Sequence, residues 1–217
     1  MSRSAEKIFI TGATGFLGSW IISRLVDRGI QVVATDISDD HRRLELLKSD
    51  LPRELIDFRI CDVTDVETLN AQIAETRPTG IIHLAALQIP QCRANPALGA
   101  AINIGGHINI FEAARKHGID RIIYTSSIAA KPRGQANAPS NFYGVFKKTD
   151  EEIDQMTVQE ATVVIKAARL SVPEWRLSSG LERRGSDHLQ QVRQQAKLAR
   201  DALLTKVHYQ EAKPTVQ

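Results

Sequence analysis

The chain has 217 residues, a formal net charge of +3 and 42% hydrophobic residues. That length buries one good core with at most a small appendage, and so modest a charge points to no nucleic acid or other polyanionic partner. No apolar run approaches the roughly 20 residues needed to span a bilayer, Met1 to Glu6 form no signal-peptide stretch, and the two cysteines, Cys61 and Cys92, lack metal-ligand spacing; a soluble, reducing, cytoplasmic setting without a metal is expected.

The first predicted strand, 7–11, runs into Thr11-Gly12-Ala13-Thr14-Gly15-Phe16-Leu17-Gly18, and a helical pattern begins at Ser19. A strand, a glycine-rich turn and a helix form the arrangement that holds a dinucleotide pyrophosphate. Gly12 permits the tight turn, Gly15 lets the backbone approach the phosphates, and Gly18 allows the helix to pack closely on the strand. The second strand, 31–36, ends in Asp36, 18 positions after Gly18, where an acid takes the ribose hydroxyls of NAD and repels the extra phosphate of NADP. Arg42 and Arg43 are the nearby cations that work against that preference.

A third strand, 57–61, contains Cys61 as a small core residue. Thr64 and Glu67 then predict a capping box for a helix with a buried stripe of Val66, Leu69, Ile73 and Ala74. A fourth strand, 80–85, carries His83 at its end, read as structural rather than as a ligand or base. Cys92 falls in a loop. A helix over about 98–117, with Ile102, Ile104, Ile108, Phe111 and Ala114 on its apolar face, stops at Gly118; His41, His107, His117, His188 and His208 are read as surface residues. The fifth strand, 121–126, ends in Thr125-Ser126-Ser127, and a sixth is expected over 161–167. Strands alternating with helices predict an α/β doubly wound parallel sheet, a Rossmann fold, with its crevice at the strand C-termini.

The second chemical signal is Tyr143-Gly144-Val145-Phe146-Lys147. Residues i and i+4 share a helix face, so an ammonium beside a phenol favours the phenolate, which can exchange a proton with a substrate hydroxyl. Ser127, 16 residues earlier, is the hydroxyl expected to hold the substrate oxygen, with Ser126 and Thr125 as alternatives.

These motifs together resemble the extended short-chain dehydrogenase/reductases of the NAD-dependent epimerase/dehydratase group. The matching stretches are 11–18, Asp36, Asp62-Val63, His83 to Ala86, Asn103 to Gly106, Ser126-Ser127 and Tyr143 to Lys147, in the family's order. The resemblance implies NAD as cofactor, held by Gly12, Thr14, Gly15, Phe16, Leu17, Gly18, Asp36, Asp62, Val63, Leu84, Ala85, Ala86, Asn103, Tyr143 and Lys147, with Leu87 also along the groove. Ser127, Tyr143 and Lys147 would be the catalytic set. It implies an epimerase/dehydratase-type oxidoreductase acting on a small, hydroxylated, sugar or nucleotide-sugar substrate. The alternatives are a simple NAD-dependent dehydrogenase of a sugar-like alcohol or acid, and an NAD-binding sensor without turnover. A homodimer is the assembly that the resemblance allows.

Residues 1–170 are expected to form the NAD-binding domain. From Arg169 onward there are 9 Lys/Arg against 5 Asp/Glu, and 186–207 carries one amphipathic helical pattern. The segment 171–217 has no signature of a substrate lobe, which is expected to be short or absent.

Overall fold

The computed structural model describes residues 6–47, 50–132, 139–157 and 164–165. The segment 171–217, with the helical pattern expected over 186–207 and with His188 and His208, lies outside the described residues. Six strands form one all-parallel sheet: β1 (Lys7–Thr11), β2 (Gln31–Asp36), β3 (Ile56–Ile60), β4 (Gly80–His83), β5 (Ile122–Tyr124) and β6 (Val164–Ile165), in spatial order β3-β2-β1-β4-β5-β6. The order reverses between β1 and β4, and that switch opens the crevice. Register there sets Thr11 opposite His83, so the glycine turn after β1 faces the alanines after β4.

Alternation along the strands builds two cores. Ile8 and Ile10 of β1, with Val32 and Ala34 of β2, pack on Ile22 and Val26 of α1 (Phe16–Val26) and Leu44 of α2 (Arg42–Leu47). Phe9, Val33 and Ile81 face the other way, onto Leu69 and Ile73 of α3 (Val66–Thr76) and Ile110 and Phe111 of α6 (Gly106–Lys116). Between β4 and α6 lie α4 (Ile89–Ala94) and α5 (Pro96–Ala100). A long helix, α7 (Phe142–Thr157), follows β5. None of the helices among the described residues is long and apolar enough to cross a membrane.

Several local expectations are corrected. Asp65, not Thr64, caps α3 by accepting the Thr68 amide at 3.1 Å, while Thr64 bonds Asp62; an aspartate one position on outcompetes the threonine. The helix phase moves accordingly: Leu69, Ile73 and Thr76 are buried, whereas Val66 and Ala74 are exposed. The expected helix over 98–117 is interrupted by a π-helical turn, Ala101–Gly105. A π turn holds an extra residue, so one periodicity cannot fit both sides of it. Ile108 therefore faces outward, and His107 takes the inner face with no exposed surface. Cys92 is likewise fully buried, within α4 rather than a loop.

His107 stacks among Phe111 and Tyr124 at 4.7 and 4.8 Å, with His83 at 5.5 Å. Burial holds His83 well below its ordinary value and His107 down to about 3, the Lys147 ammonium adding to both. The unfolded chain binds protons at both histidines below about pH 6.5 and the folded chain does not, so each removes about 1.4 kcal/mol of stability per pH unit below that point. Asp150 runs the other way. Burial raises its carboxyl to about 6, so below that pH the folded state takes up a proton first and offsets one histidine. The urea midpoint is expected to be lower at pH 5.5 than at pH 8, and His107→Leu should flatten the dependence. Equal midpoints at both pH values would contradict this.

Candidate active site

The glycine loop is built by close approach. Gly12 has φ +70, and a Cβ there would lie 2.7 Å from the Ala85 amide nitrogen and 2.8 Å from the Leu84 carbonyl carbon. Gly18 packs its α-carbon against the backbone of Gly12 and Ala13, so it seats the helix on the turn rather than on the strand as expected. Gly15 caps α1 without a side-chain bond, and the first turn of the helix holds no acid. The leading amides, from Phe16 to Gly18, precede the first i to i−4 bond and have no partner within the helix. Donors at a positive helix end, next to a turn where no side chain fits, suit the pyrophosphate of a dinucleotide.

The Asp36 carboxylate is tied to this loop. Its Oδ2 accepts from the Thr14 amide at 2.9 Å and the Thr14 hydroxyl at 2.7 Å, and Oδ1 accepts from the Ile37 amide at 2.8 Å. Beside it opens a cleft of about 170 Å³ lined by Thr14, Asp36, His41, Phe58, Arg59 and Ile60. His41 is not a free surface residue, since its ring stacks on Phe58 at 3.7 Å. Arg42 is occupied with Asp40, whereas Arg43 reaches back to donate to the Thr14 carbonyl at 2.8 Å.

The far wall is the loop after β4. Thr11 Oγ1 accepts from the Leu84 and Ala85 amides and lies 2.7 Å from His83 Nδ1. With its lone pairs engaged, the threonine donates its proton to Nδ1, which leaves the histidine proton on Nε2. His83 is thus a buried strut of the β1–β4 junction, as read from the sequence. Asn103, expected on the cofactor, instead uses its amide on Leu87, accepting from the backbone N–H at 2.7 Å and donating to the carbonyl at 2.9 Å. Its position in the π turn makes it a pin for the groove wall. Val63 is buried against Gly106, and Asp62 is exposed with Oδ1 turned back onto Thr64.

The Tyr143 to Lys147 segment opens α7. Asn141 caps the helix, accepting the Gly144 amide at 2.9 Å. At Gly144 a Cβ would collide with the Ala129 carbonyl oxygen, so only glycine lets α7 close on the turn after β5. That contact, with Cys92, Ala129 and Phe146 packed around the ring, turns the Tyr143 hydroxyl toward Ser127 and Gln88. Ser127 Oγ also accepts the Ala129 amide at 3.2 Å. Ser126 is engaged elsewhere, donating to Glu151 at 2.5 Å. Burial raises the Tyr143 phenol, the nearby Ser127 hydroxyl acts against this, and the Asp150 carboxylate raises it further. Lys147 is buried and donates to Asp150 Oδ2 at 3.0 Å. The sequence reading missed Gln88, Asp150 and Glu151. The acids sit three and four residues after Lys147, a spacing that signals contact on a helix.

A model of the NAD dependent epimerase/dehydratase family matches residues 8–174. The chain belongs to this family. A UDP-glucose 4-epimerase from Mycolicibacterium smegmatis is 34% identical over 122 residues, which cover 56% of this chain and 38% of that one. Among solved structures, L-threonine dehydrogenase from Clostridium difficile is 27% identical, with a TM-score of 0.62 over 76% of this chain and 54% of that one. The Bordetella bronchiseptica enzyme WbmG in complex with NAD is 25% identical, with a TM-score of 0.63 over 77% and 54%. This family member thus spans about half, or less, of the length of the relatives it matches.

Proposed function

We propose that this family member binds NAD across the β1/β4 crevice and acts as an epimerase/dehydratase-type oxidoreductase on a small hydroxylated substrate of the sugar or nucleotide-sugar class. The observation that carries the proposal is that Tyr143 and Ser127 lie together at the same C-terminal end of the sheet as the glycine loop and the uncapped, acid-free first turn of α1. Gly12 to Gly18 would hold the pyrophosphate, Asp36 the adenosine ribose, and Leu84 to Ala86 the groove wall. NAD, when bound, supplies the hydride acceptor.

Ser127 would donate to the substrate oxygen and hold it beside Tyr143, with the substrate's own hydroxyl proton turned to the phenol. Tyr143 then takes the hydroxyl proton as general base and returns it as general acid. Lys147, one helical turn on, sets the field in which that proton moves. The burial of Tyr143 keeps water from competing for the same proton.

The relatives support two chemistries on one scaffold. Incubation with NAD and UDP-glucose, followed by NMR of the sugar, is expected to give the epimer without net NADH. Net NADH with an alcohol or hydroxy acid would favour the simple dehydrogenase. Tight NAD binding with neither product would favour the sensor reading. Asp36→Asn is expected to weaken NAD by about 10–100-fold, because a charge-assisted bond contributes about 1.5–3 kcal/mol. Unchanged NAD affinity in a titration of that variant would remove Asp36 from the site.

A further inference from the structure

Tyr143, Lys147 and Asp150 share one face of α7. Tyr143 is four residues before Lys147 and Asp150 three residues after it, and the only hydrogen bond of the Lys147 ammonium runs to Asp150 Oδ2 at 3.0 Å, among the described residues. Both side chains are almost wholly buried, at 3% and 0% exposure, and Asp150 Oδ1 has no hydrogen-bond partner. A buried ammonium held by a buried carboxylate is close to neutral as seen from a third group. The lysine that should favour the phenolate therefore faces it with much of its field cancelled.

We propose that Asp150 is a positioning residue that holds the Lys147 ammonium on the helix face it shares with Tyr143 and, by offsetting its charge, raises the pH at which the phenol ionises. The proposal rests on the reading of Tyr143 as the acid/base. It accounts for a fully buried acid paired with Lys147 on α7. The surrounding groups are His83 on β4, Cys92 on α4, His107 on α6, Tyr124 on β5, and Glu151 and Asp154 on α7. Glu151 bonds Ser126, and Tyr124 donates to Asp154 at 3.3 Å. The two histidines are held neutral by burial, so Asp150 is the counter-charge in contact with the ammonium.

Tyrosine carbon NMR tests this on the unloaded protein, where cofactor binding and turnover play no part. The chain has three tyrosines, Tyr124, Tyr143 and Tyr209, and Tyr143→Phe assigns the signal. Asp150→Asn keeps an oxygen for Lys147 but removes the charge, so the Tyr143 midpoint is expected to fall by about one pH unit. In a Lys147→Met background the lone buried Asp150 takes a proton, and the same substitution should then leave Tyr143 unmoved. Cooperative urea unfolding of each variant serves as the control for an intact core. A Tyr143 midpoint that stays put or rises in an Asp150→Asn variant that unfolds cooperatively overturns the proposal. If Asp150→Asn does not fold, the wild-type chain still decides the matter. Its Tyr143 signal should show a step near pH 6, where Asp150 takes up its proton, and a flat trace there overturns it. Loss of NAD binding or turnover would count against the proposed function and leave this titration unaffected.

Discussion

Tyr143→Phe is expected to lower turnover by about 10²–10⁴-fold while leaving NAD affinity and the unfolding midpoint close to wild type. The ring is what packs: Cys92, Ala129 and Phe146 surround it, and phenylalanine keeps every one of those contacts. Only the hydroxyl goes, and with it the reach to Ser127 and Gln88. Ser127 keeps its bond from the Ala129 amide, so no buried group is left bare. A loss confined to kcat would assign the proton step to Tyr143. Full activity in the variant would refute that assignment, and a fall in stability would point to a structural role.

Gly12→Val is expected to destabilise the fold by about 3 kcal/mol or more and to abolish NAD binding. Two effects add. A β-branched residue does not tolerate φ +70, and its Cβ would sit 2.7 Å from the Ala85 nitrogen, driving β1 and β4 apart where the crevice forms. Gly29 provides the comparison, since it has φ +71 but nothing within 4 Å of an added Cβ. Gly29→Ala should therefore cost only the left-handed penalty of about 1–2 kcal/mol and leave binding intact. Urea unfolding of both variants, with an NAD titration of each, separates backbone strain from collision. Equal losses would mean that close approach at Gly12 contributes nothing.

The strands and the glycine turn were legible because each rests on local chemistry: β-branched runs make the strands, and Gly12 and Gly18 mark where backbones touch. The Ser127 and Tyr143 positions were legible for the same reason, each at the end of a readable element. What escaped was set by long-range packing. The phase of α6 depends on a π turn that no periodicity announces, so His107 was placed outside when it lies inside. Asn103 lies in the predicted helix, but only the fold turns its amide onto Leu87. Cys92 sits in a short helix nucleated by Gln88, Ile89 and Pro90, too brief for a pattern to show. The choice between Ser126 and Ser127 could not be made from adjacent serines, because it depends on Glu151 coming across from α7 to occupy the first.

The most direct test of the account is a calorimetric titration of the full chain with NAD and with NADP. The glycine loop, the uncapped start of α1 and Asp36 predict saturable one-site binding of NAD and a clear preference over NADP. Binding of neither cofactor, by a chain whose unfolding is cooperative, would contradict the account at its root.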